Sequence, residues 1–214
     1  MDPYYADDMV TLYHGDCLEI DEWLDADVLV TDPPYGMNAG LVVPGQLPTS
    51  RSRNTERIAG DQDTRVRDAV LDRWGDRPAV VFGHWRKPRP EQVRHLLIWD
   101  KGEMAMGAAS APFAVSHEEI YIRGSGFIPG RRQTVLRCKS IKGDERRGHP
   151  TPKPIGLMED LIRACPDGVI ADPFAGSGST LLAARNLGRH AIGVELEERY
   201  CEIIARRLSQ GVLL

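Results

Sequence analysis

The 214-residue chain, 42% hydrophobic and 27% charged, is long enough to bury a substantial core, and it reads as one domain over 1–214. It has no run of about 18 apolar residues and no basic head before an apolar stretch, which argues against a membrane span or secretory leader and for a cytoplasmic protein. A net charge of −4 argues against a uniformly basic surface. In chain order, short apolar runs alternate with helical periodicity, the pattern of an α/β domain with a largely parallel sheet. Strands are expected at 9–14, 27–31, 79–83, 96–99, 119–123, 169–172 and 190–195. Helices are expected at 64–74, 91–95, 155–165, 180–187 and 197–208.

Two regions break this rhythm. Residues 37–62 are rich in Gly, Pro, Ser and Arg. Residues 124–150 are basic: from Arg123 to His149 stand Arg123, Arg131, Arg132, Arg137, Lys139, Lys142, Arg146 and Arg147 against Asp144 and Glu145. Loops of this length inside a compact domain are usually functional or mobile. Cys17, Cys138, Cys165 and Cys201 lie far apart without metal-ligand spacing. We read them as small buried hydrophobes, with neither a disulfide nor a metal site.

The stretch Val169-Ile170-Ala171-Asp172-Pro173-Phe174-Ala175-Gly176-Ser177-Gly178-Ser179-Thr180 reads as an apolar strand, a glycine turn and a helix start. Glycines there let the backbone approach a ligand, and the helix N-terminus offers free N–H groups. The third glycine of a dinucleotide fingerprint and the lysine of a P-loop are both missing. Nineteen residues after Gly176, the strand ending at Glu195 delivers a carboxylate that can accept hydrogen bonds from ribose hydroxyls. The pair of motifs favours a nucleoside ligand.

The apolar run 27–31 delivers Asp32-Pro33-Pro34-Tyr35-Gly36 at its C-terminal end, where ligands bind in open α/β sheets. Two prolines hold the loop extended and aim Asp32 and the backbone carbonyls in fixed directions. An exocyclic amino group of a base is a poor nucleophile, because its lone pair is delocalised into the ring. Acceptors on its two hydrogens, here the Asp32 carboxylate and the Pro33 carbonyl, would free that lone pair for in-line attack. Tyr35 offers a ring on which an extruded base could stack.

Asp32-Pro33-Pro34-Tyr35-Gly36 together with Asp172-Pro173-Phe174-Ala175-Gly176-Ser177-Gly178 resembles the amino-group DNA methyltransferases. The catalytic loop precedes the glycine loop, as in the permuted beta group of that family. Further matches are His14-Gly15-Asp16, Trp99-Asp100-Lys101, His117-Glu118 and His149-Pro150-Thr151-Pro152-Lys153-Pro154. The last departs from the family pattern by carrying Pro152 where a Gln is usual.

The resemblance implies a Rossmann-like S-adenosylmethionine-dependent methyltransferase fold, α/β, with a mostly parallel sheet and helices on both faces. It implies S-adenosylmethionine as methyl donor and no metal. Catalysis would fall to Asp32, Pro33, Pro34 and Tyr35. The cofactor would be held by Asp16, Lys153, Asp172, Phe174, Gly176, Gly178, Thr180 and Glu195. Residues 37–62 would form a mobile loop on the catalytic side, and 124–150 a short target-recognition insert that meets DNA through Arg131 and Arg132.

The substrate expected is N6 of adenine in DNA, with the base flipped into the site, in a bacterial or phage-encoded enzyme of the restriction–modification type. Cytosine N4, adenine in RNA and a non-catalytic nucleic-acid-binding subunit stay open as alternatives. A homodimer and a restriction partner stay open too.

Overall fold

The computed structural model describes residues 1–35, 63–102, 112–113, 115–141 and 152–210. Among the described residues, nine strands form one sheet: β1 (Tyr5–Ala6), β2 (Val10–His14), β3 (Val28–Thr31), β4 (Ala79–Gly83), β5 (His95–Asp100), β6 (His117–Arg123), β7 (Val135–Arg137), β8 (Ile170–Asp172) and β9 (Ala191–Glu195). Their order across the sheet is β1-β2-β9-β8-β3-β4-β6-β5-β7. Five of the eight pairings are parallel. The three antiparallel ones are β1 on β2 and β6 between β4 and β5.

The central strands β3, β4 and β8 are buried in every position, and apolar up to Thr31 and Asp172 at their ends, because both faces of the sheet are covered. Val28, Val30, Val80 and Phe82 point to one side, where helices α2 (Ile155–Ile162), α3 (Ser179–Asn186) and α4 (Glu198–Ser209) pack with Met158, Leu161, Leu181, Ile204 and Leu208. Leu29, Ala79 and Val81 alternate to the other side, against helix α1 (Arg65–Trp74) and the 3-10 turn Glu22–Asp25. On that side Trp23 and Trp74 stack with their rings 5.9 Å apart. Cys17, Cys165 and Cys201 are buried in these two cores, and Cys138 is half-buried.

Two expectations need correction. Residues 91–95 are not a helix: Gln92 has a φ of 58°, and His95 already belongs to β5, opposite Ile122. Five residues after Pro88 and Pro90 are too few to nucleate a helix, and sheet pairing takes over. The basic segment 124–150 is not wholly irregular, since it contributes β7, laid parallel along β5. Residues 142–150 of it, Thr151 and the expected loop 37–62 lie outside the described residues.

Strand order sets the position of a ligand crevice. From β8 the chain winds through α3 to β9 on one side, while β3 on the other side leads through α1 to β4. The direction of winding reverses between β8 and β3, and ligands of open α/β sheets sit at the C-terminal ends of the strands at such a point. Asp172 closes β8, and Asp32 follows the last residue of β3.

Candidate active site

Thr31 and Asp172 join the two strands at the crevice. The Thr31 hydroxyl donates to Asp172 Oδ1 at 2.7 Å, and the Phe174 amide donates to the same oxygen at 3.1 Å. Burial pushes Asp172 up to about 6, opposed by the Thr180 and Thr31 hydroxyls.

The glycine turn follows. Gly176 and Gly178 hold φ values of 52° and 77°, left-handed conformations that favour glycine. At Gly178, the N-cap of α3, a Cβ would come within 2.9 Å of Ile204 Cγ1, so the turn needs glycine for packing as well as for backbone shape.

Glu195 faces this turn from the end of β9. Its Oε2 accepts the Gly176 amide at 2.7 Å and its Oε1 accepts the Glu197 amide at 2.8 Å. The carboxylate is buried, and burial pushes it up to about 7 against those two amides. A carboxylate has about four acceptor positions, so Glu195 keeps capacity for two hydroxyls. Asp16 stands nearby, because β2 and β9 end together: His14 pairs with Glu195, and the Gly15 amide donates to the Glu195 carbonyl at 2.9 Å. Its Oδ1 accepts the Leu18 amide at 2.8 Å. Leu196, half-exposed beside Glu195, offers an apolar side chain at the same end.

On the other side of the crevice, Asp32 is engaged through both oxygens. Oδ1 accepts the Tyr35 hydroxyl and Oδ2 accepts the Lys153 ammonium. Lys153 also lies 3.4 Å from Glu118 Oε2, and Glu118 Oε1 accepts Lys101 Nζ at 2.6 Å. The Tyr35 hydroxyl stands 3.3 Å from Glu118 Oε2. Two carboxylates and two ammonium groups thus form one charge-balanced cluster.

The cluster is held in place by packing. The side chain of Lys153 is 6% exposed, and its ammonium lies 5.0 Å from the Phe82 ring centre, 5.6 Å from Tyr35 and 6.0 Å from Trp99. Aromatic faces offset part of the desolvation of a buried cation. Burial raises Asp32 above the usual carboxylate range even though Lys153 pulls it down. The two lysines hold Glu118 below that range. The two carboxylates in turn keep Lys153 protonated, and burial with the neighbouring acids drives the Tyr35 hydroxyl well up.

The structure therefore brings Asp32, Pro33, Pro34 and Tyr35 to the crevice together with Asp16, Asp172, Phe174, Gly176, Gly178, Thr180 and Glu195. It places Lys153 at the junction: the side chain pairs with Asp32, while the backbone carbonyl accepts the Ser179 hydroxyl of α3 at 2.7 Å. Arg131 and Arg132 are not brought to this end. Arg132 donates to the Ile128 carbonyl at 2.8 Å and reaches the Arg163 carbonyl at 3.4 Å. It lies beyond the C-terminal end of α2, at the edge of the sheet where β8 begins. Trp99, Lys101 and Glu118 lie in the family matches Trp99-Asp100-Lys101 and His117-Glu118, which carried no site role from sequence, and Phe82 was not singled out.

The model of the DNA methylase family matches residues 84–206. The chain belongs to this family of N6/N4 amino-group DNA methyltransferases. Among curated relatives it is 43% identical to the type II methyltransferase M2.LlaDCHI of Lactococcus lactis subsp. cremoris, over 98% of this chain and 93% of the relative. It is 28% identical to the type II methyltransferase M.ScaI of Streptomyces caespitosus, over 97% and 84% of the two chains. The fold is similar to that of M1.HpyAVI in complex with S-adenosylmethionine, with a TM-score of 0.66 at 23% identity over 94% of this chain and 99% of the other. It is also similar to the cytosine-N4-specific PvuII DNA methyltransferase, with a TM-score of 0.64 at 16% identity over 98% and 96%.

This DNA methylase thus has the Rossmann-like fold of these S-adenosylmethionine-dependent methyltransferases, of which M1.HpyAVI holds S-adenosylmethionine. The residues present fit that group. Glu195 has acceptor capacity for ribose hydroxyls, and the 176–178 turn admits close backbone approach beside the N-terminus of α3. No helix among the described residues is long and apolar enough to cross a membrane.

Proposed function

We propose that the protein methylates N6 of adenine in DNA, with Asp32 and the Pro33 carbonyl as acceptors for the amino group. The observation that carries this reading is the position of Asp32, one residue past the end of β3, across the crevice from the Gly176–Glu195 pair. Asp at the first position of this loop is commoner for adenine targets in the family, and Ser for cytosine N4.

S-adenosylmethionine supplies an electrophilic methyl group when bound. The protein's own residues do the rest. Glu195 and Asp16 take the ribose and adenosine end, while Asp172, Phe174, Gly176, Gly178 and Thr180 shape the turn. Each Asp32 oxygen uses one lone pair on Tyr35 or Lys153, which leaves acceptor capacity for an amino hydrogen.

Drawing that hydrogen toward Asp32 localises the nitrogen lone pair, and the surplus proton left on nitrogen after transfer passes to the same carboxylate. A carboxylate with a raised affinity for protons suits that second task. Lys153 holds Asp32 ionised until then, and Glu118 with Lys101 balances Lys153. The half-buried Tyr35 ring offers a face for a flat base, where stacking is worth about 1–3 kcal/mol, while Phe82 and Trp99 are buried beneath Lys153.

The test is transfer of labelled methyl from S-adenosylmethionine to unmethylated DNA, followed by nucleoside mass spectrometry. Label in N6-methyladenine is the expected result. Label in N4-methylcytosine would overturn the assignment of the base.

A further inference from the structure

Past Gly83, at the end of β4, the chain reads His84-Trp85-Arg86-Lys87-Pro88-Arg89-Pro90. Val81 pairs with Thr31, so Phe82 is level with Asp32, and this loop begins one strand away, about 4.8 Å to the side. The β4–β6 register, with Gly83 opposite Glu119, sets His84 beside Glu118. The charges of Glu118, His117 and Lys101 all act on its imidazole. The loop therefore borders the cluster that holds Asp32.

Two properties set this loop apart. Trp85 is 51% exposed, whereas Trp23, Trp74 and Trp99 are at 2% or less. The loop is also basic: between 84 and 94 stand Arg86, Lys87, Arg89 and Arg94 against Glu91, in a chain whose net charge is −4.

Its backbone is fixed. The Arg86 amide donates to His84 Nδ1 at 3.2 Å, and the Lys87 amide donates to the His84 carbonyl at 3.0 Å. The buried Arg67 donates to the Pro88 carbonyl at 2.9 Å, and Arg89 bridges to the buried Glu119 at 2.7 Å. The His84 and Trp85 rings stack at 5.9 Å, and the Arg86 guanidinium lies 5.0 Å over the indole. A large aromatic ring held in water beside Arg86 and Lys87 is a stacking platform in search of a π-face and a phosphate. DNA supplies both.

We infer that residues 84–87 form a DNA-contact surface: the Trp85 indole stacks on a base beside the extruded adenine, and Arg86 and Lys87 meet the flanking phosphates. This inference rests on the reading that places the target base at Asp32. It also moves the DNA contact to the catalytic edge, away from Arg131 and Arg132.

Intrinsic tryptophan fluorescence tests it, because Trp85 is the exposed indole among four. Duplex oligonucleotides are titrated into the full-length protein with cofactor, at several salt concentrations. Binding is expected to quench the emission in wild type, and Trp85→Phe is expected to abolish the quench. Trp85→Ala is expected to weaken DNA binding roughly tenfold, and Arg86→Gln to reduce the slope of log affinity against log salt by about 0.9. S-adenosylmethionine affinity, measured by calorimetry, is expected to stay at the wild-type value in all three variants, which reports that they are folded.

A quench that survives in Trp85→Phe overturns the inference, as does no quench in wild type. Unchanged DNA affinity and salt slope in the Trp85→Ala/Arg86→Gln double variant overturns it too. The same preparations are assayed for methyl transfer. Wild-type label in adenine with unaltered variants removes the DNA-contact surface alone, whereas label in cytosine removes the adenine reading and leaves the fluorescence result to decide the surface.

Discussion

The two sides of the crevice are built on different principles. On the cofactor side, each functional group is fixed by neighbours close in sequence or on the adjacent strand: Glu195 by the amides of Gly176 and Glu197, and Asp172 by Thr31 and Phe174. On the chemical side, Asp32, Tyr35, Lys101, Glu118 and Lys153 come from four separate stretches of chain and hold one another by charge. A site fixed by backbone amides tolerates the loss of one side chain. A site fixed by mutual charge does not tolerate loss of the cation at its centre, because removing it strands the carboxylates in a poorly solvated place.

The largest expected effect of breaking that asymmetry is at Lys153. Lys153→Met leaves Asp32 and Glu118 facing each other without the buried cation between them. Unfolding free energy is expected to fall by about 3–5 kcal/mol in thermal or denaturant melts. Without its ammonium Asp32 becomes harder to ionise, so the acid limb of the methyl-transfer pH profile is expected to move to higher pH. A pH profile identical to wild type would show that Lys153 does not govern Asp32.

Next in size is Glu195→Gln. It loses the charged acceptor for the ribose but keeps a side chain of the same shape. S-adenosylmethionine affinity by calorimetry is expected to drop by about 10- to 100-fold, the value of one or two hydrogen bonds to a charged group. Stability is expected to fall by about 1–3 kcal/mol, since the Gly176 and Glu197 amides donate to different oxygens and the carboxamide keeps only one of them.

Smaller still is the pH dependence of cofactor binding in wild type. Glu195 in the free protein is raised to about 7 by burial, and it is the ionised form that accepts ribose hydroxyls. Affinity is therefore expected to rise as pH passes upward through about 7 and to level off above it. Below that value it falls by up to about tenfold per pH unit. Glu195→Gln is expected to flatten the curve.

The smallest effect is expected for Glu118→Gln. Lys101 keeps the carboxamide oxygen, and Tyr35 and Lys153 keep Asp32. A two- to tenfold loss of transfer rate, about 0.4–1.4 kcal/mol, with unchanged cofactor affinity is the expected pattern. An unchanged rate would place Glu118 outside the chemistry.

The contrast between the two sides also explains what was legible in the sequence. Strands buried on both faces read as unbroken apolar runs, so 27–31, 79–83 and 169–172 stand out, and the motifs at their C-terminal ends follow from topology. The glycine turn, the helix start and Glu195 were legible because they are local patterns. The charge cluster was not. That Lys101 and Lys153 converge on Glu118 depends on the β5–β6 register, with Trp99 opposite Glu118, and on how α2 docks. Neither is a local property.

The short strands β1 and β7 left no periodic signal, at two and three residues. Arg131 and Arg132 were read from charge density and from the place of the insert in the family. Charge density does not say which end of an antiparallel strand the segment leaves, and β6 runs down to the edge opposite Asp32.

The measurement that bears most directly on the account is single-turnover methyl transfer by Asp32→Ala beside its affinity for S-adenosylmethionine. The two halves are predicted to separate. The rate is expected to fall by at least about 10³-fold, the scale of losing a preorganised electrostatic acceptor, while cofactor affinity stays within about threefold of wild type, under about 0.7 kcal/mol. A transfer rate within tenfold of wild type would contradict the assignment of Asp32. So would a loss of cofactor binding as large as the loss of rate.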